Sequence, residues 1–99
     1  MKQFLVILGD KGPGGPDRQQ LLLHVDHLRG LSRAGSLVSC GPLGDGERAI
    51  QIFLAASLEE VRSIVASDPF VAGGYYRSHE IQEYIEGNEA NNWLLGPMG

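Results

Sequence analysis

The hydrophobic positions fall into four short runs and two longer amphipathic stretches. The first run, residues 3–8 (QFLVIL), is apolar on both alternating faces, which indicates a strand that is covered on both sides of its sheet. Two further runs predict strands at residues 36–43 and 48–56, joined by the turn sequence GDG at residues 44–46. Residues 75–86 fit a fourth strand best, with a helix as the alternative.

Both amphipathic stretches carry the residues that begin or end helices. Asp17 can cap the first stretch and Gly35 can stop it, which predicts a helix over residues 18–34. Ser57 and Glu60 have the spacing of a capping box and predict the start of a second helix. The residues that recur on one face of the first helix are Leu21, Val25, Leu28 and Leu31.

The resulting order of elements is β-α-β-β-α-β. This order predicts an α+β fold in which two helices pack on one face of an antiparallel sheet. The helices would cover one face only, although the first and third strands are apolar on both. Dimerisation through the uncovered face would bury it, so we expect a homodimer or a higher homo-oligomer.

Length, charge and cysteine content narrow the class of protein. The chain has 99 residues, which predicts one domain over residues 1–99 with a tail from about residue 87. The net charge of -4 and the absence of a Lys or Arg run argue against a nucleic-acid partner. A single cysteine, Cys40, cannot form an internal disulfide. With no membrane-length apolar stretch and no signal peptide, we expect a cytoplasmic protein without a membrane partner.

His24 lies among leucines on the apolar face of the first helix. For a lone histidine on an apolar face, a core residue that bonds a backbone carbonyl is the favoured interpretation, and a functional imidazole is the alternative. A carboxylate partner would favour function, because it fixes the tautomer and raises the basicity of the ring. Asp68 is the candidate, since it follows the second helix, which packs beside the first in this topology. The alternative is that Asp68 only caps a turn, with Pro69 as the first helical residue.

A shared metal between His24 and His27 is a weaker hypothesis. The two residues are three positions apart on one helix, a spacing at which both can bind one ion. No third ligand follows at a typical distance, so the sequence predicts no metal site, and we expect no cofactor.

The chain contains two long motifs, HVDHLRGLSRAGSLVSCGPLGDG at residues 24–46 and ASLEEVRSIVASDPFVAGGYY at residues 56–76. Both resemble motifs of the YciI-like (YCII-related domain) family. Each part is weak alone, but the order and spacing are fairly specific, and the match extends over residues 24–85. The resemblance implies a ferredoxin-like fold that dimerises as an α+β barrel.

The resemblance also implies a catalytic pair. His24, and not His27, takes the position of the family's histidine because it stands eleven residues before Gly35, and Asp68 takes the position of the family's aspartate. Both would line a pocket for a small-molecule ligand. The residues that we expect to contact the substrate are Gly41, Pro42, Tyr75, Tyr76 and His27.

Three functions fit this sequence. The first is a small cofactor-free lyase, isomerase or dehalogenase that acts on an aromatic-derived or biosynthetic metabolite. In it His24 would move a proton, Asp68 would hold the tautomer, and a tyrosine would donate to the developing oxyanion. The second is a non-catalytic binding or accessory protein whose pocket only holds a metabolite. The third is a structural dimer in which the pair is a satisfied polar element of the core.

Overall fold

Four strands form one antiparallel sheet in the computed structural model, which describes residues 1–96. The elements in chain order are β1 (Lys2–Lys11), α1 (Arg18–Arg33), β2 (Leu37–Pro42), β3 (Ala49–Ala55), α2 (Leu58–Ser67), α3 (Pro69–Ala72), β4 (Tyr76–Tyr84) and a 3₁₀ helix (Glu89–Leu94). The strands follow the order β2-β3-β1-β4 across the sheet. The predicted α+β class is confirmed.

Helix α1 begins and ends where its capping residues predict. The carboxylate of Asp17 accepts a hydrogen bond from the Gln20 amide at 2.7 Å, which satisfies one of the free amides of the first turn. Ala34 is the C-cap residue of α1. Gly35 follows it with a φ of +81°, a left-handed conformation that glycine adopts without a steric penalty.

Helices α2 and α3 meet at Asp68. Proline has no amide hydrogen and disfavours a helical conformation in the residue before it, so α2 ends at Ser67 and Asp68 is extended. Pro69 then begins α3, and the Asp68 carboxylate accepts the Phe70 amide at 2.9 Å. Asp68 is therefore a helix cap, as one of the two hypotheses expected.

The core lies between the sheet and the helices. Its buried apolar members are Phe4, Val6, Leu8, Phe53, Ala55, Val61, Val65, Phe70 and Tyr76. The opposite face of the sheet is also apolar, because β1 and β3 pair Leu5 with Ile52 and Ile7 with Ile50 there. These side chains are only half-buried in the single chain, so the second face lacks the cover that the first one has.

Helix α1 differs from the prediction in how it packs. Its apolar stripe was expected to face the core, but no residue of α1 is buried, and Leu21 and Val25 remain exposed. The reason is that α2 and α3 supply the side chains that close the core, while α1 packs against α3 and β2. Three residues of the stripe, Leu21, Val25 and Leu28, line a cavity instead, and only Leu31 packs against the core, at partial burial.

The C-terminal segment contains more structure than the predicted tail. Within it the 3₁₀ helix Glu89–Leu94 begins with reciprocal hydrogen bonds between Asn88 and Asn91. Trp93 donates its indole N–H to Glu89 but leaves most of its ring exposed. The last three positions of the predicted tail lie outside the described residues. Within residues 1–96, no helix has the length and apolar character needed to cross a membrane.

Candidate functional site

A cavity of about 390 Å³ lies between α1 and the sheet, a size typical of small-ligand pockets. Its wall is mostly apolar, with a few polar groups. The residues that line it are Leu8, Lys11, Pro16, Leu21, His24, Val25, Leu28, Cys40, Gly41, Pro42, Ala49, Ile50, Gln51, Phe70, Tyr75 and Tyr76. This combination is the one that binds a small organic molecule in a fixed orientation.

His24 and Asp68 meet at the edge of this cavity. The His24 Nδ1 lies 2.7 Å from Asp68 Oδ1, within the hydrogen-bond range that a functional pair requires. The Asp68 side chain is 1% exposed and the His24 side chain 13% exposed. The pair therefore joins a buried carboxylate to an imidazole that reaches the cavity.

The Asp68 carboxylate is stabilised in its ionised form. Besides His24, it accepts the Phe70 amide at 2.9 Å and the Gln51 side-chain amide at 3.2 Å. Burial opposes ionisation, but these hydrogen bonds and the field of the imidazole outweigh that penalty and hold the pKa of Asp68 below its usual range. An ionised carboxylate only accepts hydrogen bonds, so the Nδ1 of His24 carries the proton of this bond.

The His24 ring is held by a second contact. It stacks on the Phe70 ring with centroids 3.8 Å apart and an interplanar angle of 10°. Asp68 and Phe70 both belong to the short segment around α3, and Gln20 of α1 donates to the Pro69 carbonyl at 3.3 Å. The orientation of the imidazole is therefore fixed from two directions. Its Nε2 has no hydrogen-bond partner among residues 1–96, which leaves that nitrogen free for a ligand.

Four of the five predicted substrate contacts lie where a ligand could reach them. Gly41, Pro42, Tyr75 and Tyr76 line the cavity, although their role in binding stays a prediction. The fifth, His27, does not line this cavity, and its contact with a substrate likewise stays a prediction. At about 100° per residue, the stripe from Leu21 to Leu28 lies to one side of His24 and His27 lies to the other.

Three polar residues of the cavity were missed in the sequence. Gln51 is a buried polar residue on the core face of β3. The sequence could have revealed it, because Ala49 and Phe53, two positions before and after it on the same strand face, are apolar. Cys40 lies opposite Gln51 in the β2–β3 pairing, which only the register reveals. Lys11 ends β1 at the start of the Gly-rich loop, where no pattern indicated a pocket.

The thiol and one phenol of the cavity are held in their neutral forms. Burial raises the pKa of Cys40, and the charge of Asp68 adds to the effect. Burial also raises the pKa of Tyr76. At neutral pH Cys40 is therefore a poor nucleophile and Tyr76 is a hydrogen-bond donor. Within the described part of the chain, no group of three or more His, Cys, Asp or Glu side chains is arranged to bind a metal ion.

Fold and cavity together define a small α+β protein with a His–Asp pair at a ligand-sized pocket. The model of the YCII-related domain family matches residues 4–85, which is most of the chain. The chain therefore belongs to the YCII-related domain family, and the resemblance seen in its motifs is confirmed.

Solved structures resemble this fold. One is the 5-chloro-2-hydroxyhydroquinone dehydrochlorinase TftG from Burkholderia phenoliruptrix AC1100, in complex with 2,5-dihydroxybenzoquinone. It is 22% identical, has a TM-score of 0.63, and the match covers 91% of this chain and 99% of that one. Protein Atu4242 from Agrobacterium tumefaciens is 12% identical over 88% of this chain and 94% of its own, with a TM-score of 0.47. No curated protein matches the chain.

Proposed function

We propose that this protein is a small cofactor-free enzyme in which His24 and Asp68 carry out acid–base chemistry on a planar, aromatic-derived metabolite. The observation that carries the proposal is the 2.7 Å contact between the imidazole and a buried, ionised carboxylate at the edge of a cavity. A capping aspartate alone needs no imidazole, and a core histidine alone needs no open Nε2.

The pair would act by moving one proton. Asp68 holds the proton on Nδ1, so the lone pair of Nε2 is available to a ligand in the cavity. Imidazole is the side chain whose ordinary pKa makes it a base near neutral pH. Nε2 would take a proton from the substrate, and the electron pair left behind would form a double bond as a leaving group departs with its own pair. The imidazolium would then return the proton to solvent.

The tyrosines would assist at the other end of the substrate. Tyr76 stays protonated because burial raises its pKa, and Tyr75 packs beside it with ring centroids 4.8 Å apart. A phenolic O–H directed into a mostly apolar cavity is a strong donor to an oxygen on which negative charge develops. We infer that Tyr75 or Tyr76 has this role.

The dehydrochlorinase TftG supports the choice of substrate class. That enzyme is named for its chlorinated hydroxyhydroquinone substrate, and its structure contains a dihydroxybenzoquinone. The two proteins have similar folds. The cavity of this chain has mostly apolar walls and a volume that suits a single substituted ring. Loss of chloride from a hydroxylated ring is the kind of elimination that a single positioned base can promote.

The assembly belongs to the same proposal. The strand order β2-β3-β1-β4, with helices on one face, is the arrangement expected of a ferredoxin-like sheet. We propose that two copies join through the open apolar face and form an α+β barrel. The half-buried side chains of β1 and β3 on that face support this assembly.

Chloride release from 5-chloro-2-hydroxyhydroquinone and related chlorinated hydroquinones tests the catalytic proposal. We expect turnover by the wild-type protein and a loss of about 10²- to 10⁴-fold in His24→Asn and Asp68→Asn, because loss of a general base has this effect. His79→Asn is the matched control, since His79 is exposed on β4 and does not line the cavity.

Two outcomes would contradict the proposed catalytic role of the His24–Asp68 pair. The first is chloride release that is equal in wild type and His24→Asn, which would assign the reaction to another group. The second is saturable binding of the whole panel with no turnover of any member, which would favour the non-catalytic binding protein.

A further inference from the structure

Lys11 is the one lining residue of the cavity with a permanent charge, within the part of the chain that the structure describes. The other lining groups are apolar, or they are polar groups without a permanent charge, such as Gln51, Cys40 and Tyr76. An ammonium at the border of an apolar cavity attracts a negative ligand more strongly than it would in open water. The position of Lys11 therefore bears on which ligands the cavity prefers.

The ammonium group of Lys11 is held in place by neutral partners. Its Nζ donates to the Gly46 carbonyl in the β2–β3 turn at 2.6 Å and lies 5.4 Å from the centroid of the Tyr75 ring. No carboxylate of the described residues lies within ion-pair distance of it, whereas Lys2 pairs with Glu83 at 3.7 Å. The Tyr75 side chain is a further hydrogen-bond partner that raises the pKa of Lys11, so at least one of the three N–H groups remains for a ligand.

The walls of the cavity suit a flat apolar ring. Helix α1 contributes Leu21, Val25 and Leu28 on one side, and the core face of the sheet contributes Leu8 and Ala49 on the other. Apolar side chains on two facing elements stabilise a ring by burial of both of its faces. A charged group on the ligand can therefore be bound only by the few polar groups of the lining, and Lys11 is the cation among them.

We propose that Lys11 forms an anion subsite, so that the cavity selects planar ligands that carry an ionised oxygen, a carboxylate or a phenolate. This inference rests on the proposed function for the identity of the cavity as the substrate site. The ammonium binds the ionised oxygen at the mouth, with Tyr75 beside it, and the ring extends toward His24. Lys11 thereby selects the substrate and sets its direction.

Binding of 2-naphthoate and 2-naphthamide tests this subsite. The two molecules share size and shape, and only the first is charged. By titration calorimetry at low salt, we expect wild type to prefer the naphthoate by about tenfold, as one charge-assisted contact predicts. Lys11→Met and Lys11→Gln should lose the preference and Lys11→Arg should keep it. Lys2→Met is the matched control and should behave as wild type, because Lys2 lies at the far end of β1.

Three results overturn the subsite: no measurable binding of naphthoate to wild type at millimolar concentration, equal affinity for the two ligands, or a preference that persists in Lys11→Met. Because the readout is binding, it does not depend on turnover. His24→Asn should retain the preference. If chloride release fails while the preference holds, the catalytic proposal fails and the anion subsite stands.

Discussion

The carboxylate of Asp68 is shared among three elements of the fold. One oxygen accepts hydrogen bonds from His24 on α1 and from the Phe70 amide in α3, and the other accepts from Gln51 on β3. Capping and tautomer control are therefore two functions of one group. Since the group is buried, its charge depends on all three donors, and the loss of any one would leave the ionised form less well satisfied.

The free energy of unfolding should change less between pH 7 and pH 3 in Asp68→Asn than in wild type. The folded pKa of Asp68 lies below its unfolded value, which is roughly 3.9. The ionised carboxylate therefore stabilises the fold above about pH 4, and this contribution is lost as the pH falls through the folded pKa. We expect the variant to lose about 1 to 3 kcal/mol in the free energy of unfolding at pH 7, and less as the pH approaches 3. Urea unfolding from pH 7 to pH 3 measures this difference.

Asp26→Asn is the control for that titration. Asp26 is exposed and pairs only with Arg29 on the same helix, so its replacement should change stability by less than about 0.5 kcal/mol at any pH. A gap between wild type and Asp68→Asn that widens in acid would contradict the assignment of an ionised Asp68.

Local patterns reveal some site residues and not others. His24 could be found because it interrupts an apolar helical face, and Asp68 because it stands directly before a proline and an apolar run. Gln51 was visible in principle, since its strand parity matches that of the buried Phe53. Cys40 reaches the site only through the pairing of β2 with β3, and that pairing contains an irregularity after Leu37. The hydrophobic pattern of β2 alone does not determine which residue of β3 lies opposite Cys40.

At the scale of the elements, the contact between α1 and α3 positions the imidazole. Gln20 donates to the Pro69 carbonyl, and the chain passes close by at Gly73. A Cβ at Gly73 would lie 2.5 Å from the side-chain nitrogen of Gln20 on α1 and 2.8 Å from the Pro69 backbone oxygen within α3, both too close for the present geometry. The absence of a side chain there lets α3 pack against α1 and lets Asp68 reach His24.

Gly73→Ala and Gly30→Ala should therefore have effects of opposite sign. The first forces the backbone of α3 to shift away from the Pro69 carbonyl and displaces the Gln20 side chain of α1, for which we expect a loss of about 1 to 3 kcal/mol in the free energy of unfolding. The second adds a Cβ inside α1 with nothing within 4 Å of it, and alanine favours a helix over glycine by about 1 kcal/mol. Urea unfolding of the two variants makes the comparison. Equal effects of one sign would show that α3 tolerates the added atom and that its packing on α1 is loose.

The bounds of α1 were predictable and its packing was not. Caps are local features, because Asp17 and Gly35 act on neighbouring amides and carbonyls. Burial depends on which element closes the core, and the short helix α3 takes that position through Phe70. An amphipathic stripe shows that a helix has an apolar side, and that side can face a cavity as well as a core.

At the scale of the whole molecule, residues 1–96 leave one face of the sheet without a covering element. Both faces of β1 are apolar, and this feature alone led to the expectation of a second covering layer. In the single chain, Leu5 and Ile7 lie beside Ile50 and Ile52 on the face away from the helices. The sequence shows that β1 has apolar residues on both faces. It does not show what covers the second face, because the hydrophobic pattern of a strand contains no information on the element that packs against it.

Ile52→Lys tests whether a second copy covers this face. The register places Ile52 opposite Leu5 at the centre of the open face, so a charge there would be buried in the proposed barrel without a partner. We expect wild type to sediment as a dimer at micromolar concentration, and the variant to dissociate with a Kd raised by about 100-fold, which corresponds to about 3 kcal/mol. The core face of the same strand is unaffected, so the monomer should keep its circular dichroism spectrum.

Ser63→Lys separates this effect from that of charge alone. Ser63 is exposed on α2, on the other side of the sheet, and the same change there should leave the sedimentation of the dimer unaltered. Dissociation of both variants would point to general electrostatic repulsion, which a chain with a net charge of -4 should not show on gaining a lysine. A wild-type protein that sediments as a monomer, or an Ile52→Lys dimer as tight as wild type, would contradict the barrel, since in either case the apolar face would be stable without the copy proposed to cover it.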